Sequence, residues 1–300
     1  MIEERALLER FHLRPSAYHI LKNVKIIDTN DGKFVLKRKY KEKKELYAYL
    51  KSRGFPYYCE SFETDEKSEY ELFPYLEDIT SPKEQKAQDI IYLMSLLHNK
   101  TCYYRETDLN QVKKFYEETR ERIQYLFQYY DDLSNVILKH VYLSPSEYLL
   151  VRNLSFLFDN LYGASTMLEK WYEIMSHKKK ERVAMVHHNL SLDHFRKQDV
   201  GYFISWDRAS IDIPIYDFFS FFELNDFSFD YIALFDYYQS RFPLLEEERL
   251  QLFCLLLIPK KIVLKKEEQI ATQEIDQVLR KLKKAKDLVL KENQKNSQKQ

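Results

Sequence analysis

Two neighbouring stretches carry the side chains best able to do chemistry, HHNLSLDHF (187–195) and ISWDRASIDIPIYDFF (204–219). His187, His188 and His194 offer imidazoles, which suit Zn2+, but their spacing matches no zinc signature. Asp193, Asp207 and Asp217 offer carboxylates that can hold a cation or take a proton. Alternation in the strand puts Ser205 and Asp207 on the same face, so Asp207 could reach toward a metal if the strand end bends. The pattern is a histidine, a short polar loop, a strand and a D-x-P-x-x-D tail.

The elements that must position these residues change in texture along the chain. Residues 1–20 read as a short helix and connector. NVKIIDTNDGKFVLKRK (23–39) alternates around an NDG turn, a strong hairpin signal. KEKKELYAYLKSRGF (41–55) places Leu46, Tyr49 and Leu50 on one face of a helix closed by Gly54. YYCESFE (57–63) and YELFPYL (70–76) read as two further strands with TDEKSE as their turn. Then helices take over. Ser81-Pro82-Lys83-Glu84 fits a capping box and opens an amphipathic stretch to His98. A long helical pattern runs from about 109 to 130, and Ser144-Pro145-Ser146-Glu147 fits a second box. Helical patterns follow over 163–177, and again after 217 through 285. The aromatic stretch at 216–238 reads as core. The division is a small β-rich lobe at 1–78, a helical lobe at 79–288 holding the 187–217 loop, and a polar, frayed tail at 289–300.

Composition removes several function classes. Lys+Arg and Asp+Glu both total 47, so no overall field favours nucleic acid. The basic run LKRKYKEKK (36–44) reads as solvated element ends. Cys59, Cys102 and Cys254 are scattered, which implies reduced thiols and a cytoplasmic protein. The charged start MIEERALLERFHLR is no signal peptide, and the most apolar run, at 250–259, is too short to span a bilayer. Only four glycines occur, at 32, 54, 163 and 201, so neither a Walker A motif nor GxGxxG is present.

The small sheet, the strand ELFPYLED (71–78) and the helical remainder resemble the protein-kinase-like layout. The 187–217 region resembles the aminoglycoside phosphotransferase and choline kinase family. That family's loop reads H-G-D-L-H-P-x-N, followed by a strand ending I-D-W and a G-D-P-x-x-D-L stretch. His187 and Leu190 match the loop, ISW (204–206) the strand, and Pro214 and Asp217 the tail. Upstream, FVLK (34–37) resembles the strand carrying the nucleotide-phosphate lysine, here Lys37. Its helix partner would be Glu45, with Glu42 the less favoured choice. LLHNK (96–100) resembles the end of the first large-lobe helix.

The resemblance implies an α+β, bilobal protein-kinase-like fold, with His187 bracing the loop and Asp217 structural. It also exposes what is missing. In register, Asn189 stands at the base position, His194 at the loop metal position and Ser205 at the strand metal position. A neutral amide cannot act as a base, and Mg2+ prefers charged oxygen ligands. The sequence therefore implies a catalytically degenerate phosphotransferase that works as a binding or regulatory module, holding ATP or GTP, with a protein partner. Similar degenerate members accompany spore-coat and cell-envelope functions in Firmicutes. Two alternatives stand beside it. One is an active small-molecule phosphotransferase using Asp193 or Asp207 in displaced roles, with Asp207 and His194 on Mg2+. The other is a scaffold with no cleft ligand.

Overall fold

A computed structural model describes residues 2–21, 24–39, 43–62, 68–225, 228–264 and 267–297. The order begins α1 (Ile2–Arg10), β1 (Pro15–Leu21), β2 (Val24–Thr29), β3 (Gly32–Arg38), α2 (Lys44–Ser52), β4 (Tyr70–Pro74) and α3 (Lys83–Thr101). It continues with β5 (Tyr103–Glu106), α4 (Leu109–Ile137), α5 (Pro145–Arg152), α6 (Leu154–Met175) and β6 (Lys180–Val186). After a 3₁₀ turn at Leu192–His194 come β7 (Phe195–Lys197), β8 (Gly201–Phe203), a second 3₁₀ turn at Trp206–Arg208 and β9 (Ser210–Asp212). The chain ends in α7 (Ile215–Leu224), α8 (Tyr231–Arg241), α9 (Glu246–Leu257) and α10 (Glu268–Ser297). Two compact units result, one of residues 1–101 with 187–210 and one of 102–186 with 211–300.

The first unit is built on a four-stranded antiparallel sheet, β1-β2-β3-β4. The NDG turn forms as the sequence requires, with Thr29 paired to Gly32 and Gly32 at φ 110°, a conformation that L side chains rarely adopt. Alternation along the strands sorts the side chains. Ile27, Leu36 and Leu72 go to one face, where they pack with Leu7, Leu8 and Leu13. Lys25 ties that face to α1 through Glu4 at 2.5 Å. The other face receives Val35 and Lys37 from β3 and their cross-strand partners Phe73 and Glu71 from β4. Helix α2 follows and closes in a Schellman arrangement, with Phe55 N–H donating to Leu50 O at 3.0 Å and Gly54 at φ 66°.

Several sequence expectations are corrected here. Residues 15–21, read as a connector, form β1, a strand whose side chains are mostly exposed and so carry no inward-facing pattern. The strand expected at 57–63 does not form, and the described part is irregular apart from one bridge, Tyr58 to Phe203. Most of the TDEKSE turn lies outside the described residues. The buried face of α2 is Tyr47 and Leu50, not Leu46, Tyr49 and Leu50. Ser81 makes no cap, because its buried hydroxyl lacks a hydrogen-bond partner. The tail expected to fray from 289 is helical to Ser297, with Leu288 and Val289 buried.

The second unit is mainly helical, with the small sheet β5-β6-β9 beside the helices. Its second expected capping box is complete. Ser144 N–H donates to Glu147 Oε2 at 2.9 Å, and Glu147 N–H to Ser144 Oγ at 3.3 Å. The aromatic stretch is core: Phe218, Phe221, Phe222, Tyr231, Phe235 and Tyr238 are each at most 1% exposed. The three cysteines are free thiols. Among the described residues, no helix is long and apolar enough to cross a membrane.

One glycine closes the hairpin that carries the loop. A Cβ on Gly201 would lie 2.5 Å from the Phe195 ring and 3.2 Å from Leu93. Phe195 is fully buried, so its ring has no room to yield. Gly201→Ala is expected to cost about 1–3 kcal/mol of stability, as overpacking does. Urea unfolding of the variant measures it, and an unchanged midpoint would contradict the packing described.

Candidate functional site

The site lies within the first unit, on the sheet face opposite α1. Lys37 sits directly across the strand pair from Glu71, so both point to that face. Lys43, just before α2, is 4% exposed and donates to Glu71 Oε2 at 2.6 Å. The two lysines converge on Asp207. Lys37 Nζ donates to Asp207 Oδ2, and Lys43 Nζ lies 3.1 Å from Oδ1. Four charges thus alternate in a line, Lys37–Asp207–Lys43–Glu71. Burial opposes ionisation of Asp207, yet the paired ammonium groups outweigh it and hold the carboxyl below its usual range.

Asp207 gets there by a bend that strand alternation does not anticipate. β8 stops at Phe203, and Ser205 takes the left-handed conformation, φ 65° and ψ 52°. The 3₁₀ turn then begins at Trp206, whose buried indole N–H donates to Phe203 O at 3.0 Å. The strand end does bend, and the alternation that would keep Ser205 and Asp207 on the same face stops with β8 at Phe203. The turn delivers Asp207 to Lys37.

The polar loop is pinned to its own backbone. His187 is fully buried, its ring 4.7 Å from the Trp206 ring and its Nε2 3.0 Å from Ile204 O. His188, at the position where the family loop has glycine, is left-handed at φ 60°, a conformation that costs a residue with a Cβ about 1–2 kcal/mol. Its Nε2 lies 3.0 Å from Ser210 Oγ. His194 Nδ1 lies 2.7 Å from Asn189 O, to which it donates, and 3.1 Å from Ser191 Oγ. Burial lowers the His194 pKa. Asn189 is half-buried and Asp193 exposed, with the latter in the Leu192–His194 turn. Asp217 is fully buried in the first turn of α7, in the second unit.

The structure thus joins Lys37 to Asp207 but not to Glu45. Glu45 is exposed, because the inward face of α2 is set by Tyr47 and Leu50, and among the described residues no ion pair involves it. Glu42 lies outside the described residues. The sequence reading missed Lys43 and Glu71. Lys43 was counted among solvated element ends, although it is almost fully buried. The signal for Glu71 was an acid in the apolar run YELFPYL, while its place across from Lys37 comes from the non-local pairing of β3 with β4.

What this donor set can hold follows from its charges. Two ammonium groups meeting on one carboxylate are sized for an oxyanion, and phosphate presents the same pair of oxygens. Mg2+ does not fit. Asp207 is already held by both lysines, Asn189 is neutral, and His194 offers nitrogen rather than oxygen. Among the described residues no group of three His, Cys, Asp or Glu could hold a metal ion, and this includes the three histidines of the loop. Elsewhere, a cavity of about 450 Å3 within the second unit is walled by Phe222, Leu256, Ile258, Val278 and Leu282. Its rim lysines bind the protein itself, Lys260 to Glu223 at 2.8 Å and Lys281 to the Glu223 carbonyl at 2.5 Å.

Comparison with known structures bears on the fold. An aminoglycoside phosphotransferase from Alicyclobacillus acidocaldarius superposes with a TM-score of 0.67 at 11% identity, over 94% of this chain and 92% of that one. The chain has the aminoglycoside phosphotransferase fold. A spectinomycin phosphotransferase solved with ADP and spectinomycin has a TM-score of 0.50 at 10% identity, over 95% of this chain and 93% of that one. A choline kinase from Streptococcus pneumoniae gives 0.48 at 13% identity, over 97% and 100%. No family model and no curated protein sequence matches the chain.

A pH dependence follows from the cluster. Asp207 titrates lower in the folded chain than in the unfolded one, so its contribution to stability is complete above the ordinary carboxylate range near about 4 and is lost as pH falls through the folded value. The wild-type melting temperature is expected to exceed that of Asp207→Asn at pH 7, and the gap to narrow below about pH 4. Thermal melts of both proteins across pH check this, and a gap that stays constant would show that Asp207 is not held as an ion.

Proposed function

We propose that this chain is a catalytically degenerate member of the phosphotransferase fold that binds a nucleotide without transferring its phosphate. The observation that carries the reading is the engagement of Asp207. The carboxylate that Lys37 binds is committed to two lysines, in a site where Asn189 stands at the base position. Phosphoryl transfer needs a group to accept or orient the hydroxyl proton and carboxylates to fix Mg2+. Neither requirement is met by Asn189, His194 or Ser205. Exposed Asp193 makes no contact that would bring it to Lys37. A nucleotide needs less. Lys37 supplies charge for its phosphates, and Val35 and Phe73 on the same sheet face supply apolar contact for a base. The ADP held by the spectinomycin phosphotransferase supports a nucleotide as the ligand class.

In this reading the chain acts in the cytoplasm through a protein partner, with the nucleotide tuning the folded state rather than being consumed. Thermal-shift titrations with ATP, ADP and GTP, each with and without Mg2+, test it. Ligand that binds only the folded chain adds about 2.7 kcal/mol at a hundredfold excess over Kd. The expected result is a shift that does not need Mg2+ and that grows in Asp207→Asn, where the competing carboxylate is gone. A Mg2+-dependent kinase or ATPase activity abolished by Asp207→Ala would overturn the reading in favour of an active enzyme. No shift with any nucleotide, in either protein, would overturn it in favour of a scaffold.

A further inference from the structure

We propose that Lys43 joins Lys37 in a two-lysine oxyanion cradle that takes a phosphate of the bound nucleotide, and that Asp207 fills this cradle when no ligand is present. The inference rests on the nucleotide-binding reading and adds a second phosphate-contacting residue to it. Three observations carry it. First, the two ammonium groups lie against the two oxygens of one carboxylate: Lys37 donates to Oδ2, and Lys43 is ion-paired 3.1 Å from Oδ1, a buried oxygen that accepts no hydrogen bond among the described residues. A phosphate offers two oxygens in the same bridging arrangement.

Second, Lys43 is held in place for this. It is 4% exposed, and Glu71 fixes it from behind at 2.6 Å. Glu71 offsets one of the two positive charges, so withdrawal of Asp207 leaves a single uncompensated positive charge in a largely buried place. A buried charge without a partner is strongly disfavoured, so the carboxylate leaves only as another anion arrives. Third, no glycine lies between Pro15 and Thr29, so close backbone approach of the kind glycine-rich loops use is not available from that hairpin. Side chains must supply the donors, and the two lysines are placed to do so.

Isothermal titration without Mg2+ tests the cradle, with ADP in one arm and inorganic pyrophosphate in the other. The proteins are the wild type, Lys37→Met, Lys43→Arg, and the double variant Lys43→Met with Glu71→Met, which removes both members of the buried pair and leaves no orphaned charge. Circular dichroism confirms that each is folded. The double variant and Lys37→Met are each expected to lose about tenfold or more in affinity for both ligands, equivalent to about 1.4 kcal/mol. Lys43→Arg, which keeps the charge, is expected to retain most of the binding; loss of binding in a folded Lys43→Arg would count against a charge role. Equal affinity of wild type and double variant would overturn the cradle and leave nucleotide binding intact. Pyrophosphate binding that depends on both lysines, with no ADP binding by the wild type, would support the cradle and overturn the nucleotide reading instead.

Discussion

The carboxylate of Asp207, shared between Lys37 and Lys43, is the interaction on which the rest of the site depends. It joins two nearby positions, the end of the third strand and the residue before α2, to the turn after β8, which lies far along the chain. Remove the carboxylate and two ammonium groups face each other with only Glu71 to offset them. Remove Lys43 and Glu71 is left buried and charged. Each of the four therefore constrains the next, and the geometry of the site is set by electrostatics as much as by packing. A buried pair of this kind is weak evidence for net stability, but strong evidence that its members have one arrangement.

The scaffold under this cluster keeps the shape of a phosphotransferase loop while changing its donors. His187 still anchors the loop by its bond to Ile204 O, and Trp206 still closes the turn by its bond to Phe203 O. Two residues with a Cβ, His188 and Ser205, hold left-handed backbone that glycine would adopt without strain. The loop tolerates that strain because both ends are fixed in a core of Phe55, Phe203, Trp206 and His187. The backbone of the loop is thus held by buried aromatic packing and main-chain bonds, independently of the identity of its exposed side chains.

Much of this was readable from the sequence, and the failures have physical causes. The NDG hairpin, the Ser144 capping box and the Gly54 helix end were legible because local chemistry alone decides them. The same kind of pattern failed at Ser81, where the letters fit a box but the hydroxyl makes no bond. Glu45 was chosen by position along the chain, but Tyr47 and Leu50 rotate it out to solvent. Lys43 was lost in a basic run, since burial of one lysine in such a run depends on a partner 28 residues away, Glu71. Asp207 was weighed as a displaced acid reached through a bent strand end, and its pairing went unread because Lys37 and Lys43 lie far back in the chain.

The balance of charge in the cluster also decides how a ligand would arrive. Lys37, Asp207, Lys43 and Glu71 sum to zero, as does the whole chain, with 47 basic and 47 acidic residues. Such a site has almost no field beyond a Debye length of about 8 Å at physiological salt. A phosphorylated molecule is then not drawn in from a distance, and its rate of capture is that of undirected collision. In the proposed cradle, entry would be an exchange of anions, the Asp207 carboxylate leaving its lysines as the phosphate takes its place. The slow coordinate in binding is accordingly a side-chain exchange at contact, and ionic strength acts on that exchange rather than on the approach.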